Sequence, residues 1–123
     1  MAKLLIVEDD ESVRTLAARA LERAGHLIDI AADGAQGLAL IRAAQGGYDL
    51  VVSDIRMPEM DGIEMAKAAV RLFPATKILL MTGYADQRER AEELNGAILD
   101  VVQKPFTLAE IRARVERALA CFA

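Results

Sequence analysis

Aromatic residues are scarce in this chain: Phe, Trp and Tyr supply 4% of its 123 residues, against a hydrophobic fraction of 54%. Its core must therefore be made of Ala, Val, Leu, Ile and Met, the composition that suits helices covering both faces of a sheet. Cysteine is nearly absent too. Cys121 has no second cysteine to pair with, which suits a reducing compartment. His26 is the one histidine, so zinc chemistry has no ligand set and a loop role is expected for it. No run approaches the ~18 apolar residues that a membrane span needs. The opening MAKLLIVEDD meets its acids too early for a signal-peptide core. A cytoplasmic protein with no membrane partner is expected. A net basic balance is also missing: 15 Lys and Arg stand against 19 Asp and Glu, a net charge of −4, and the sequence shows no stripe of Lys and Arg to release counterions from a phosphate backbone. A direct nucleic-acid partner is therefore not expected.

Short apolar runs recur at KLLIV (3–7), LIDIA (27–31), YDLVVS (48–53), TKILLMT (76–82) and AILDVV (97–102), with segments of helical length between them. The order is β then α, five times over, with no linker and no low-complexity tract. In the first helix Val13, Leu16, Ala17, Ala20, Leu21 and Ala24 follow the spacing of one buried stripe. Asp10 and Glu11 suit its start, and Gly25 its C′ stop. The third helix starts at Asp61, with Glu64 in the capping-box position and Ile63, Ala66, Val70 and Phe73 on its inner face. The last has Thr107 as N-cap, Glu110 as its box partner, Phe106 stapled on Ile111, and Leu108, Ile111, Val115 and Leu119 as its apolar face. In ADQRERAEELNG (85–96) only Ala91 and Leu94 suit a core, so the fourth helix is expected to be weakly anchored. Short crossovers between strands require a parallel sheet with right-handed connections. The fold class is α/β, a (βα)5 doubly wound five-stranded sheet for which the order 2-1-3-4-5 fits best.

In such a sheet the carboxyl ends of the strands converge on one edge, where ligands bind. IVEDD puts Glu8 and Asp9 there, VVSD puts Asp54, LLMTG puts Thr82 and VVQKPF puts Lys104. Each has a bland reading alone: a strand-end threonine, a snorkelling surface lysine, acids capping a helix. Their joint arrival on one edge is what the bland readings leave unexplained. Three carboxylates brought together repel unless they share a cation, and hard oxygen ligands with room for water and phosphate suit Mg²⁺. Beside such an ion Asp54 becomes a candidate nucleophile toward a phosphoryl group. Lys104 is then placed for the transferred oxygens and Thr82 for a hydrogen bond to them.

VEDD, SDIRMPEMDG, MTGYAD and QKPFT together make the chain resemble the receiver domain of two-component response regulators over essentially its whole length. The resemblance implies a flavodoxin-like receiver fold over residues 1–123 with no output domain. Asp54 is then the phosphoacceptor, Asp9 a direct Mg²⁺ ligand, Glu8 a ligand through water, and the backbone carbonyl of Arg56 the third protein ligand. Thr82 matches the switch hydroxyl, and Lys104 the phosphate-binding lysine, joined to Pro105 by a bond that is cis in the family. The family often carries an aromatic three residues before that lysine, where Val101 stands here. Tyr84 is then the candidate modulator in the neighbouring loop, with Arg56 flanking the acceptor.

The resemblance makes the protein a phospho-accepting switch that assists its own phosphorylation and dephosphorylation rather than an enzyme. A histidine kinase or histidine phosphotransferase is the donor. The target protein reads the face built by the fourth helix, fifth strand and fifth helix. ALERAGH and the MTGYAD loop resemble most the stand-alone cell-cycle receivers that deliver substrates to an ATP-dependent protease. Two alternatives compete. A Mg²⁺-dependent aspartyl phosphatase of the haloacid dehalogenase kind places its nucleophile after strand 1 in a D-x-D pattern, which VEDDES lacks. A pseudo-receiver that binds partners without phosphorylation predicts losses in the acid cluster that the sequence does not show.

Overall fold

The computed structural model describes residues 2–57, 60–83, 98–104 and 106–120. The apolar runs form β1 (Lys3–Val7), β2 (Leu27–Ala31), β3 (Leu50–Asp54), β4 (Ile78–Thr82) and β5 (Ile98–Gln103). All neighbours pair in parallel, in the order β2-β1-β3-β4-β5. This is the expected order. Strand β3 starts later than its apolar run because Tyr48 and Asp49 are engaged at its entrance: the Tyr48 hydroxyl donates to Asp29 (2.7 Å) and the Asp49 carboxylate accepts from the Lys3 N–H (2.8 Å).

Four helices lie among the described residues: α1 (Glu11–Arg23), α2 (Gly34–Ala43), α3 (Gly62–Leu72) and α4 (Leu108–Ala120), the last being the one the sequence predicts as the fifth. The helix expected over 85–96 falls outside the described residues, as do Tyr84 and Pro105. Alternation along the strands sorts the core into two layers. Leu5, Val7, Val51, Ile78 and Leu80 pack with Ile41, Ile63, Met65 and Ala66 of α2 and α3. Leu4, Ile6, Leu50, Val52, Leu79, Met81 and Val102 pack with Ala17 and Leu21 of α1 and Ile111 and Val115 of α4. No helix among the described residues is long and apolar enough to cross a membrane.

The helix starts follow local chemistry. The Asp10 carboxylate accepts from the Ser12 and Val13 N–H groups, and Asp61 from Glu64 N–H (2.8 Å). Thr107 and Glu110 satisfy each other reciprocally, as a capping box requires. Gly25 takes φ +98 just beyond α1, the left-handed C′ position that glycine fills without strain. His26 does more than a loop residue: its Nδ1 accepts from Ala2 N–H and its Nε2 lies 2.9 Å from Glu116 of α4.

Two expected core positions are corrected. Leu16 is 52% exposed and Leu108 44% exposed. The stripe of α1 is wider than its contact with the sheet, and the small residues Ala17, Ala18 and Ala20 with Leu21 occupy that contact. On α3 the inner positions Ile63 and Ala66 are buried as expected, together with Met65 and Ala69, whereas Val70 and Phe73 are half-buried.

Gly62 is needed where β3 turns into α3. A Cβ there would overlap the Asp54 carbonyl oxygen and lie 3.1 Å from Ile55 Cα, and both obstacles are backbone. Gly62→Ala should therefore destabilise the fold by about 1–3 kcal/mol, the usual range for overpacking. Gly83→Ala, where nothing lies within 4 Å of the added carbon, should stay within about 0.5 kcal/mol of wild type. Urea denaturation of the two variants distinguishes these outcomes.

Candidate functional site

Strand alternation, carried one step past the apolar run, places the ionisable groups. Glu8 continues the side of Ile6, Asp54 that of Val52, and Lys104 that of Val102, all on the α1/α4 face of the sheet. The three groups meet there. Lys104 Nζ lies 2.7 Å from Glu8 Oε2 and 3.2 Å from Asp54 Oδ2. Glu8 is fully buried and Asp54 is 6% exposed. The other Glu8 oxygen accepts from Asp10 N–H (3.2 Å), and Asp54 Oδ1 from Ile55 N–H (3.0 Å). Asp9 is exposed, and one carboxylate oxygen from each of Glu8, Asp9 and Asp54 lies within 4.8 Å of the other two.

Burial costs the charged forms of these acids. It pushes the Glu8 carboxyl up to about 7 against the opposing hydrogen bond from Lys104, with the Asp54 charge adding to the rise. Asp54 is raised for the same reason, and Lys104 again opposes. For Lys104 burial acts downward, but the hydrogen bond to Glu8 and the charges of Asp54 and Glu8 outweigh it, so its ammonium is held above its ordinary value. Two carboxylates thus compete for one cation.

The donor set fits Mg²⁺. Among the described residues, three carboxylates cluster about the Lys104 ammonium, so negative charge is in excess there when all are ionised, and the ligands are hard oxygens of the kind that ion takes. Asp9, Asp54, the backbone carbonyl of Arg56 and, through water, Glu8 would hold it. Thr82 is 1% exposed at the end of β4, and its carbonyl accepts from the Lys104 backbone N–H (2.7 Å), so the hydroxyl-bearing and lysine-bearing strand ends are tied together. Thr82 lies on the side of Leu80, the opposite layer from Asp54. Arg56 stands just beyond Ile55 with its side chain exposed. Val101, in the place of the family's aromatic, is half-buried against the α2/α3 layer. The Glu8–Lys104 contact, bridging 96 positions, is what a list of strand-end residues misses; the parity of each strand is the signal that locates it.

Acids from the first and third strands facing a lysine from the fifth mark the carboxyl edge of this α/β sheet as the candidate site of a signalling domain. Residues 4–116 match the response regulator receiver domain, and the chain belongs to that family, whose members are phospho-accepting switches of two-component systems rather than classical enzymes. It is 37% identical over 96% of its length to the transcriptional regulatory protein TcrA of Mycobacterium tuberculosis, of which it spans 46%. It is 34% identical to the response regulator receiver protein CpdR of Brucella abortus, over 97% of this chain and 98% of that protein. Among solved structures, the response regulator TrrA of Thermotoga maritima superimposes with a TM-score of 0.83 at 31% identity, over 96% of this chain and 99% of that one.

The raised Glu8 carboxyl sets a pH dependence. Between its unfolded value of 4.5 and about 7 the metal-free folded state holds more protons than the unfolded chain, so this contribution to stability is fully present below 4.5 and lost as pH rises through 7. In EDTA the Tm should be lower at pH 8 than at pH 5 by about 5 °C. Glu8→Gln should flatten most of that slope, and millimolar Mg²⁺ should reduce it in wild type. Thermal melts across the pH range provide the check; an equal slope in Glu8→Gln would show that the carboxyl is not perturbed.

Proposed function

We propose that this chain is a receiver switch whose Asp54 accepts a phosphoryl group from a histidine kinase or histidine phosphotransferase in a Mg²⁺-dependent reaction. One observation carries the reading: a nearly buried strand-end carboxylate shares its pocket with two acids and with a lysine 3.2 Å away. An Asp54 oxygen attacks phosphorus, the bond from phosphorus to the donor breaks, and an acyl phosphate remains on the chain. When bound, Mg²⁺ neutralises the charge of the phosphoryl oxygens against the carboxylates. The structure of TrrA in complex with Mg²⁺-BeF supports that assignment of the ion.

Phosphorylation adds roughly −1.5 to −2 charge beside Lys104, by the measure of other phosphorylated side chains. The Lys104 ammonium then turns from the Asp54 carboxylate to the phosphoryl oxygens, and the Thr82 hydroxyl donates to them. Since Lys104 N–H is bonded to the Thr82 carbonyl, the two movements are coupled. They alter the face that includes β5 and α4, where a target protein reads the state; the helix expected over 85–96, which the sequence reading adds to this face, lies outside the described residues. A shift from mostly off to mostly on needs about 5.5 kcal/mol of differential interaction. Tyr84, Arg56 and Pro105 modulate the lifetime of the phosphoryl group. The match to CpdR over 97% of this chain and 98% of that protein supports a receiver that signals by protein contact. The sequence resemblance to receivers that deliver substrates to a protease makes such an adaptor its downstream role.

Incubation with acetyl phosphate and Mg²⁺ should add one labile phosphoryl group per chain, seen by intact mass. Asp54→Asn and EDTA should each abolish it. Sustained release of phosphate without a retained group would instead make the protein a phosphatase, and no reaction at all would make it a phosphorylation-independent binding module.

A further inference from the structure

Asp9 is exposed, so the direction of its carboxylate depends on the backbone that carries it. That backbone is pinned on both sides. Ahead of Asp9, Arg14 of α1 donates from Nη1 to the Glu8 carbonyl (2.9 Å). Behind it, Asp10 N–H donates to Glu8 Oε1 (3.2 Å). A peptide group is planar, so the first bond fixes the plane that carries the Asp9 nitrogen and the second fixes the plane that carries the Asp9 carbonyl. Between the two planes Asp9 keeps one carboxylate oxygen within 4.8 Å of oxygens of Glu8 and Asp54. The arginine is itself well seated. Its N–H donates to the Asp10 carbonyl (2.9 Å) in the first turn of α1, and the Asp10 carboxylate caps that turn through the Ser12 and Val13 N–H groups. Its side chain is half-buried. Glu8 is tied from the other side as well, because its N–H donates to the Ala31 carbonyl of β2 (3.1 Å).

We infer that Arg14 is a positioning residue for Asp9: by holding the Glu8 carbonyl it sets the angle at which the Asp9 carboxylate enters the acid cluster. The inference rests on the proposed role of that cluster as a Mg²⁺ site. Arg14 acts here through a peptide group and not through its charge, and the two modes differ in sign. A guanidinium near a divalent cation repels it, so an arginine present only as a charge raises the Mg²⁺ affinity when it is removed. A positioning arginine lowers the affinity when it is removed, because a ligand left free to swing must be ordered at each binding event. An arginine that only braces the start of α1 changes the stability of the fold and leaves the affinity of the folded protein as it was.

Calorimetric titration of Mg²⁺ into wild type, Arg14→Met and Arg14→Lys tests the inference, with circular dichroism to confirm that the variants fold. Methionine keeps an unbranched stem and removes the donor. In about 1 M KCl, where charges are screened beyond about 3 Å, Arg14→Met should bind Mg²⁺ at least about fivefold more weakly than wild type. Arg14→Lys, whose ammonium can still donate to the Glu8 carbonyl, should lie between the two. In the metal-free protein the Asp9 amide resonance should move in Arg14→Met, as its peptide plane is released. Equal or tighter Mg²⁺ binding by Arg14→Met, an equal loss in both variants, an unmoved Asp9 amide, or loss of the folded state in Arg14→Met would each overturn the inference and leave the metal reading standing. No Mg²⁺ uptake by wild type would instead overturn that reading, and the inference with it.

Discussion

An ammonium group between two buried carboxylates is the constraint around which this molecule is arranged. Lys104 reaches Glu8 at 2.7 Å and Asp54 at 3.2 Å, and both acids are buried. Burying a charge without a partner costs more than a pair in good geometry returns, so the three strand ends have to arrive together and in register. The dry strands serve that purpose. β3 is buried throughout, including Asp54, which fixes the position of its terminal carboxylate in a way that a loop cannot. The arrangement is also rich in negative charge, because the Asp9 carboxylate stands within 4.8 Å of those of Glu8 and Asp54. A site that is over-supplied with acid and holds a movable lysine is poised to respond to a divalent ion and to a phosphoryl group.

The same parity links the site to its surroundings. Glu8, Asp54 and Lys104 point toward α1 and α4, so the stem of Lys104 becomes part of the groove those helices form. Thr82 shares the strand parity of Leu80, and its carbonyl holds the Lys104 backbone. A displacement at the carboxylate cluster is therefore felt on both faces of the sheet, through a side chain on one and a backbone bond on the other. The chain needs no long-range wire for this. The two residues are neighbours through the Thr82↔Gln103 pairing of β4 and β5.

Much of this was legible in the residues. Short apolar runs and helix stripes report the element order because burial of strands on both faces and of helices on one imposes those patterns. The caps at Asp10, Asp61 and Thr107 were legible because an N-cap is a contact over two or three residues. The candidate site was legible as a set, since parallel strands send their carboxyl ends to one edge whatever their order. Leu16 and Leu108 were misjudged because periodicity says which flank of a helix is apolar but not how much of that flank the neighbouring layer covers. The role of His26, tied to Ala2 and Glu116, was not visible because its partners are remote in sequence.

By itself, then, the sequence determined the α/β alternation, the helix starts and the identity of the acids, the hydroxyl and the lysine, all of which depend on chemistry within a few residues. Tertiary structure alone decided the distances at which Lys104 reaches Glu8 and Asp54, that His26 is tied to Ala2 and Glu116, and that Leu16 and Leu108 are left exposed. Those outcomes depend on the pairing and side of strands far apart in the chain, and such distances are set by packing the whole sheet against its helices.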